Sequence, residues 1–413
     1  MPAEKERREQ AIAIIRSSFA SFGYQEIETP ALEDVARLTS GLGGENEKMI
    51  FAVLRRGLDP AAPLLPRNAV DLGLRFDLTL PLARFVATNA GVLGDVSRVM
   101  QIAPVWRAER PQKGRFRQFM QCDIDIIGEP STLGESELIV ATSAALRALG
   151  IKDAYVRLND REILYGLLEA CGLDQPLFDR TLIVVDKLDK IGVDGVATEL
   201  TTKLGVSDQS ATALRRLLEQ FADRDQTDTD GILALLPATV PTAARERMIA
   251  IRDAVTTGDE RIQLRLDVSL VRGMGYYTGP IFEIGHPASS SSVAGGGRYD
   301  RMIGRFLRRD IPACGFSIGF ERILDLLDLP EDAQAGVALL YDDTCPTGRL
   351  LQAQVALVEA GYKVRLVRAA KRRATQLGRL YEDGIRFIVR AADIQDVTRL
   401  PLSPLTPPRP GIE

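Results

Sequence analysis

The chain has 413 residues, 45% hydrophobic and 26% charged, with 52 basic against 56 acidic side chains and a net charge of −4. That length predicts two or three domains, and the charge balance excludes a polycation, so any nucleic-acid contact has to come from local patches. Cys122, Cys171, Cys314 and Cys345 form no CxxC pair and fit free thiols in a reducing cytosol, which points to a cytoplasmic protein. The single histidine, His286, sits beside a proline and reads as structural, which argues against a catalytic triad or a histidine-based metal site. The charged N-terminus is unlike a signal peptide, and no run of eighteen apolar residues offers a membrane span.

In chain order, Ile12, Ile15, Phe19 and Phe22 recur at helical spacing over residues 4–22, and Gly23 ends that helix. Residues 24–28 read as extended and 31–38 as helical. Arg75–Thr79 reads as a strand end, with a helix over 80–88 behind it. Two apolar runs, 100–106 and 119–127, predict a β-hairpin. Its loop places Arg107, Arg110, Lys113, Arg115 and Arg117 within eleven residues, with Glu109 among them. Such a set of guanidinium forks and point charges suits a polyphosphate, although a solvated loop has the same composition. A helix over 134–149 and a strand over 154–158 follow. Residues 161–256 are helical in propensity and carry no chemical motif, so they read as an inserted helical module. Alternation at Ile262, Leu264, Leu266, Val268 and Leu270 marks a half-buried strand. It leads into Val271–Gly279, a strand over 280–284, and Gly295–Asp300, read as a tight turn. Hairpin strands with helices set apart argue for an α+β body. Short strands at 337–341, 362–367 and 386–389, alternating with helices, predict a small βαβαβ unit. Its second strand and following helix carry Lys363, Arg365, Arg368, Lys371, Arg372, Arg373 and Arg379, a cationic stripe suited to phosphates or to a solvated face. The proline-rich tail from Pro401 reads as disordered.

These motifs together resemble the histidyl-tRNA synthetase family, within the class II aminoacyl-tRNA synthetases, over nearly the whole chain. Phe22–Pro30 is similar to motif 1 of the class, residues 104–128 to motif 2, and Gly315–Arg322 to motif 3. Val271–Gly279 and Gly295–Asp300 resemble the two signatures specific to histidine. The resemblance implies a six-stranded antiparallel catalytic sheet in two parts, 1–160 and 257–330, interrupted by the helical insertion 161–256. An anticodon-binding-like α/β domain would occupy 331–400 and the tail 401–413. It also implies a homodimer, with the proline of motif 1 at the interface, that takes L-histidine, ATP with Mg2+, and tRNA(His).

The resemblance assigns roles as well. Arg107 and Arg272 would flank the α-phosphate, two fixed cations of the kind worth roughly 3–4 kcal/mol each at a developing anion. Arg115 and Arg322 would reach the outer phosphates, Phe119 and Arg322 would sandwich adenine, Glu109 would accept from its amino group, and Gly319 would lie in the ATP site. Asp77, Thr79 and Gln121 would hold the α-ammonium, and Asp125 and Tyr277 the two imidazole nitrogens, with Tyr276 and Tyr299 lining the pocket. No dedicated metal cage is visible, so Mg2+ is implied by the family and not by spacing.

The chain departs from the family pattern at three places. The family usually begins with a Gly-x-Arg-Asp-like strand before a Leu-Pro whose place Met1-Pro2 takes, an acidic residue or asparagine is common at Gly275, and a further strand and helix usually follow the third C-terminal strand. These departures bear more on tRNA charging than on histidine activation. Two other readings stay open: an adenylate-forming relative with a non-tRNA acceptor, and a histidine-sensing regulatory subunit of ATP phosphoribosyltransferase. Relatives of the latter generally lose the motif 2 arginines and the Glu-Arg of motif 3, whereas Glu321-Arg322 stands here.

Overall fold

The structure is a computed structural model. It describes residues 2–39, 49–58, 69–110, 116–272, 277–307, 310–329, 336–396 and 399–406. They fall into two compact units: Ala11–Asp328, and Leu329–Glu413 with Met1–Gln10.

The helix Pro2–Ser21, which belongs to the larger unit from Ala11 on, buries Ile12, Ile15 and Phe19 on one face, and Gly23, at φ +85°, turns the chain into β1, Gln25–Glu26. A small antiparallel sheet follows from β2 (Leu32–Asp34), β3 (Ala52–Leu54) and β4 (Val70–Leu74), with β4 in the middle. The helix expected over 31–38 is thus delayed to Val35–Thr39, because Leu32–Asp34 pair with Leu74–Leu72. Next come β5 (Ser97–Trp106), β6 (Gln118–Ile127), β7 (Tyr155–Asp160), β8 (Gln263–Leu266), β9 (Pro280–Gly285), β10 (Ala294–Arg298) and β11 (Ala313–Gly319). They form one sheet in the order β1-β5-β6-β11-β10-β9-β7-β8. Its six inner strands are antiparallel throughout, as the class resemblance implies, and β1 and β8 are added parallel at the two edges.

Two expectations for this sheet need correction. Gly295–Asp300 is not a tight turn, because its first part is the central strand β10. The glycines are needed by close approach: a Cβ on Gly296 would stand 2.0 Å from the Gly315 carbonyl oxygen on β11. The strand expected over 262–270 stops at Leu266, where the Asp267 carboxylate accepts from Ser269 N at 2.9 Å and turns the chain.

The helix Leu133–Ala148 covers β6 and β11, and Thr242–Gly258 packs against it and against β7. Residues 161–258 are mostly helical. Asp160, Ser207 and Asp228 cap three of these helices by accepting from backbone N–H groups. Leu182 and Val184 from this stretch share one hydrophobic core with Leu270, Val271 and Tyr277. No helix among the described residues is long and apolar enough to cross a membrane.

In the smaller unit β12 (Gly336–Tyr341) lies between β13 (Lys363–Arg368) and β14 (Ile385–Arg390), both parallel to it, and the helices Thr347–Glu359 and Arg373–Glu382 connect them. The proline-rich end is not wholly without structure. Ser403–Pro404 forms an antiparallel edge strand, β15, on β14, and Leu405 donates to Arg386 O at 2.8 Å and is buried. Proline is tolerated there because an edge strand need not donate on its outer side.

Candidate active site

The central strands of the large sheet carry a cavity of about 180 Å³ on one face. Cross-strand register explains which side chains reach it. Asp123 on β6 stands opposite Ser317 on β11, which stands opposite Gly295 on β10, and that opposite Glu283 on β9. One row along, Asp125, Gly315 and Gly297 are partners, and Gln121 faces Gly319. Because strand side chains alternate, Phe119, Gln121, Asp123 and Asp125 all project to this face. Glycine on the neighbouring strands leaves the room: a Cβ at Gly315 would meet Asp125 Oδ1 at 2.0 Å.

One end of the cavity is acidic. Asp77 lies in the loop before the helix Thr79–Thr88, and its Oδ1 accepts from Leu80 N at 3.2 Å. Buried Arg75, Thr29 and Gln101 brace that loop: Arg75 donates to Thr29 O at 2.5 Å, and Gln101 donates to Leu78 O at 3.2 Å. Tyr299 donates its hydroxyl to Asp125 Oδ1, and Gln121 donates to Ser317 Oγ at 3.0 Å. Among the described residues Asp77 Oδ2, Gln121 Oε1, Asp123 Oδ1 and Asp125 Oδ2 are buried without a hydrogen-bond partner. Burial pushes the carboxyl of Asp77 up to about 6, against the pull of the Leu80 N–H and Arg107. Burial likewise raises Asp125 to about 7, which the Tyr299 hydroxyl opposes and the Asp77 charge reinforces. Asp123 rises well above the usual carboxylate range through burial and the charge of Asp125.

The other groups are cationic and aromatic. Arg107 Nε donates to Phe76 O at 3.0 Å, and its guanidinium lies 5.1 Å from the Phe119 ring centre. Arg272 donates to Glu283 Oε1 at 2.5 Å. Arg322 donates to Ser292 O at 2.8 Å, and Glu321 accepts from Met120 N at 3.3 Å. A ligand with a cationic or hydrogen-donating end and an anionic end fits this polarity.

The cavity is lined by Asp77, Thr79, Arg107, Glu109, Phe119, Gln121, Asp125, Arg272, Tyr277, Tyr299, Gly319 and Arg322, twelve of the residues singled out from sequence. Arg115, Tyr276 and Gly275 lie outside the described residues. Asp123, Ser317 and Ser292 also line it and were not singled out. The signal for Asp123 was present: Gln121, Asp123 and Asp125 alternate along one strand, so a pocket that takes two of them takes the third. His286 lies elsewhere, half-buried, with Nε2 2.7 Å from Lys152 O and Nδ1 accepting from Ala288 N. The four cysteines are free thiols.

Comparison with known proteins agrees with this architecture. The histidyl-tRNA synthetase family profile matches residues 1–323. A histidine--tRNA ligase from Leifsonia xyli subsp. xyli is 54% identical over 98% of this chain and 96% of its own length. A probable histidine--tRNA ligase from Tropheryma whipplei is 40% identical over 99% of this chain and 95% of its own. The crystal structure of histidyl-tRNA synthetase from Nostoc sp. PCC 7120 superposes with a TM-score of 0.74 at 26% identity, covering 94% of this chain and 88% of that one. A Bacillus halodurans C structure, described as an ATP phosphoribosyltransferase regulatory subunit/histidyl-tRNA synthetase, shares the fold at a TM-score of 0.72 and 20% identity, covering 94% of each chain. With a family match over most of its length and relatives this similar end to end, the chain belongs to the histidyl-tRNA synthetase family.

Proposed function

We propose that this chain is an ATP-dependent histidine--tRNA ligase, acting in the cytoplasm as a homodimer. The observation that carries the reading is the set of unpartnered buried oxygens on Asp77, Gln121, Asp123 and Asp125, facing the same cavity as Arg107, Arg272 and Arg322. Buried acceptors left unpaired are costly, so their position marks where a ligand donates hydrogen bonds. Histidine supplies an α-ammonium for Asp77, Thr79 and Gln121 and an imidazole for Asp125 and Tyr277, while Tyr299 lines its pocket. A site of this kind rejects amino acids that lack the donors by about 10⁴–10⁵-fold, so no editing step is needed.

In the activation step a carboxylate oxygen of histidine bonds to the α-phosphorus as the bond to the bridging oxygen of pyrophosphate breaks. Two anions meet there. Arg107, held by the Phe76 carbonyl and the Phe119 ring, and Arg272 neutralise the charge from groups already in place. Phe119 and Arg322 bracket the adenine, Glu109 accepts from its amino group, the Gly319 backbone lets ATP approach, and Arg115 reaches the outer phosphates. In the second step the terminal ribose hydroxyl of tRNA(His) attacks the activated carbonyl and AMP leaves, its phosphate taking up the hydroxyl proton.

Mg2+ would arrive on the ATP phosphates and offset their charge. No group of three His, Cys, Asp or Glu among the described residues could hold a metal, but a phosphate-borne Mg2+ needs only one or two carboxylates, and Glu321 lines the cavity. A dimer contact beside Pro30 is supported by the exposed apolar side chains of Phe22 and Leu32 on either side of it.

The test is acylation of purified tRNA(His) with labelled histidine, ATP and Mg2+. Robust, histidine-specific charging is expected. Histidine-dependent pyrophosphate exchange without charging would assign the chain to a different acceptor, and absence of both reactions would leave it a non-catalytic relative.

A further inference from the structure

Arg272 leaves its backbone just after the β8 turn and reaches across the sheet, where its seat is made by two cross-strand partners. Glu283 on β9 and Gly295 on β10 stand directly opposite each other. The Glu283 carboxylate accepts from Arg272 Nη1 at 2.5 Å, and a Cβ built on Gly295 would lie 2.1 Å from that same nitrogen. The guanidinium therefore rests on bare backbone, with a carboxylate fixing its edge. Glu283 is only 14% exposed on a strand whose neighbours Phe282 and Ile284 are buried core, an expensive place for a charge without a purpose.

A purely structural ion pair does not account for it. The other arginine within reach, Arg157, already donates to Asp267 at 2.7 Å and stands 3.5 Å from Glu283. Glu283 is thus held in place by Arg157 from behind and commits its shorter bond to Arg272. An arginine with several rotatable bonds needs such a fixed partner to be preorganised for a charge that appears only during reaction.

We propose that Glu283 is a positioning residue for adenylate formation, seating the Arg272 guanidinium against the Gly295 backbone so that it is aimed at the reacting phosphate. This rests on the role of Arg272 given under the proposed function. Glu283 itself touches no reacting atom.

The experiment is histidine-dependent ATP–pyrophosphate exchange on the full-length protein with Arg272→Ala, Glu283→Gln, Glu283→Ala and the Arg272→Ala/Glu283→Ala double variant, each checked by thermal unfolding. Misplacing a catalytic group by an ångström costs about 10²-fold. Glu283→Ala is expected to lower kcat by about that factor, with KM for histidine and ATP within about 3-fold of the parent, and Glu283→Gln, which keeps the shape and one acceptor, to lose about 10-fold. In the Arg272→Ala background the Glu283 change should cost nothing more, because the group it positions is gone. A loss that multiplies with that of Arg272→Ala, or near-parental kcat in a folded Glu283→Ala, overturns the proposal and leaves the role of Arg272 standing. If Glu283→Ala fails to fold, Glu283→Gln and its double variant with Arg272→Ala carry the same comparison. Near-parental turnover in Arg272→Ala would instead sink the reading of Arg272, and this proposal with it.

Discussion

Three carboxyl groups buried side by side resist ionisation unless something cationic joins them. Asp77 and Asp125 are raised to about 6 and about 7, both mainly by burial. They hold protons more tightly folded than unfolded, so without ligand the folded state takes up protons between about pH 4 and 7 and its stability falls as pH rises through that window. Asn at position 125 keeps an acceptor for Tyr299 but carries no charge. Asp125→Asn is therefore expected to raise the unfolding midpoint above pH 7 by about 2–4 °C, to flatten its pH dependence, and to abolish histidine-dependent exchange. A midpoint lowered at pH 8, or parental affinity for histidine, would count against the assignment. Asp123 lies one row along on the same strand, and its alternation with Gln121 and Asp125 already put it on the pocket face. Its pairing with Ser317, opposite Gly295, fixes its neighbours there.

At the level of elements, the hairpin, the Leu133–Ala148 helix and the C-terminal strands were legible because each carries its own periodicity. The glycine run on β10 was not. Gly295-Gly296-Gly297 has the local character of a turn, and it becomes a strand only because β9 and β11 flank it and demand its lack of side chains. Gly296→Ala is accordingly expected to destabilise by about 1–3 kcal/mol or more, since the added methyl meets a backbone carbonyl that cannot move alone. Gly348, in the helix Thr347–Glu359, has nothing within 4 Å of a built Cβ, and Gly348→Ala should stabilise by about 0.4–1 kcal/mol. Thermal or denaturant unfolding of the two variants checks both signs. The stretch 161–258 is bound into its unit by a core shared with Val271 and Tyr277, which its motif-free sequence did not reveal.

Across the whole molecule the acidic chain carries its basic residues unevenly. Of the stripe noted in the C-terminal unit, Lys363 pairs with Glu6, Arg365 with Asp383 and Arg368 with Asp343, all exposed pairs of small individual worth. Lys371 and Arg372 are exposed and make no ion pair among the described residues. If they meet the tRNA backbone, Lys371→Ala and Arg372→Ala should each weaken acylation uniformly across tRNA sequences. Each should lower the salt slope of tRNA binding by about one, with pyrophosphate exchange unchanged. Equal loss of both reactions would place their effect in folding. The sequence by itself determined the family, the α+β class and twelve of the groups that line the cavity, because motifs are local strings and each strand writes its own alternation. The tertiary structure alone decided which charges face one another. It turned a glycine string into a central strand, set Ser317 opposite Asp123, and brought Glu283 to Arg272 across a sheet register that no linear spacing encodes.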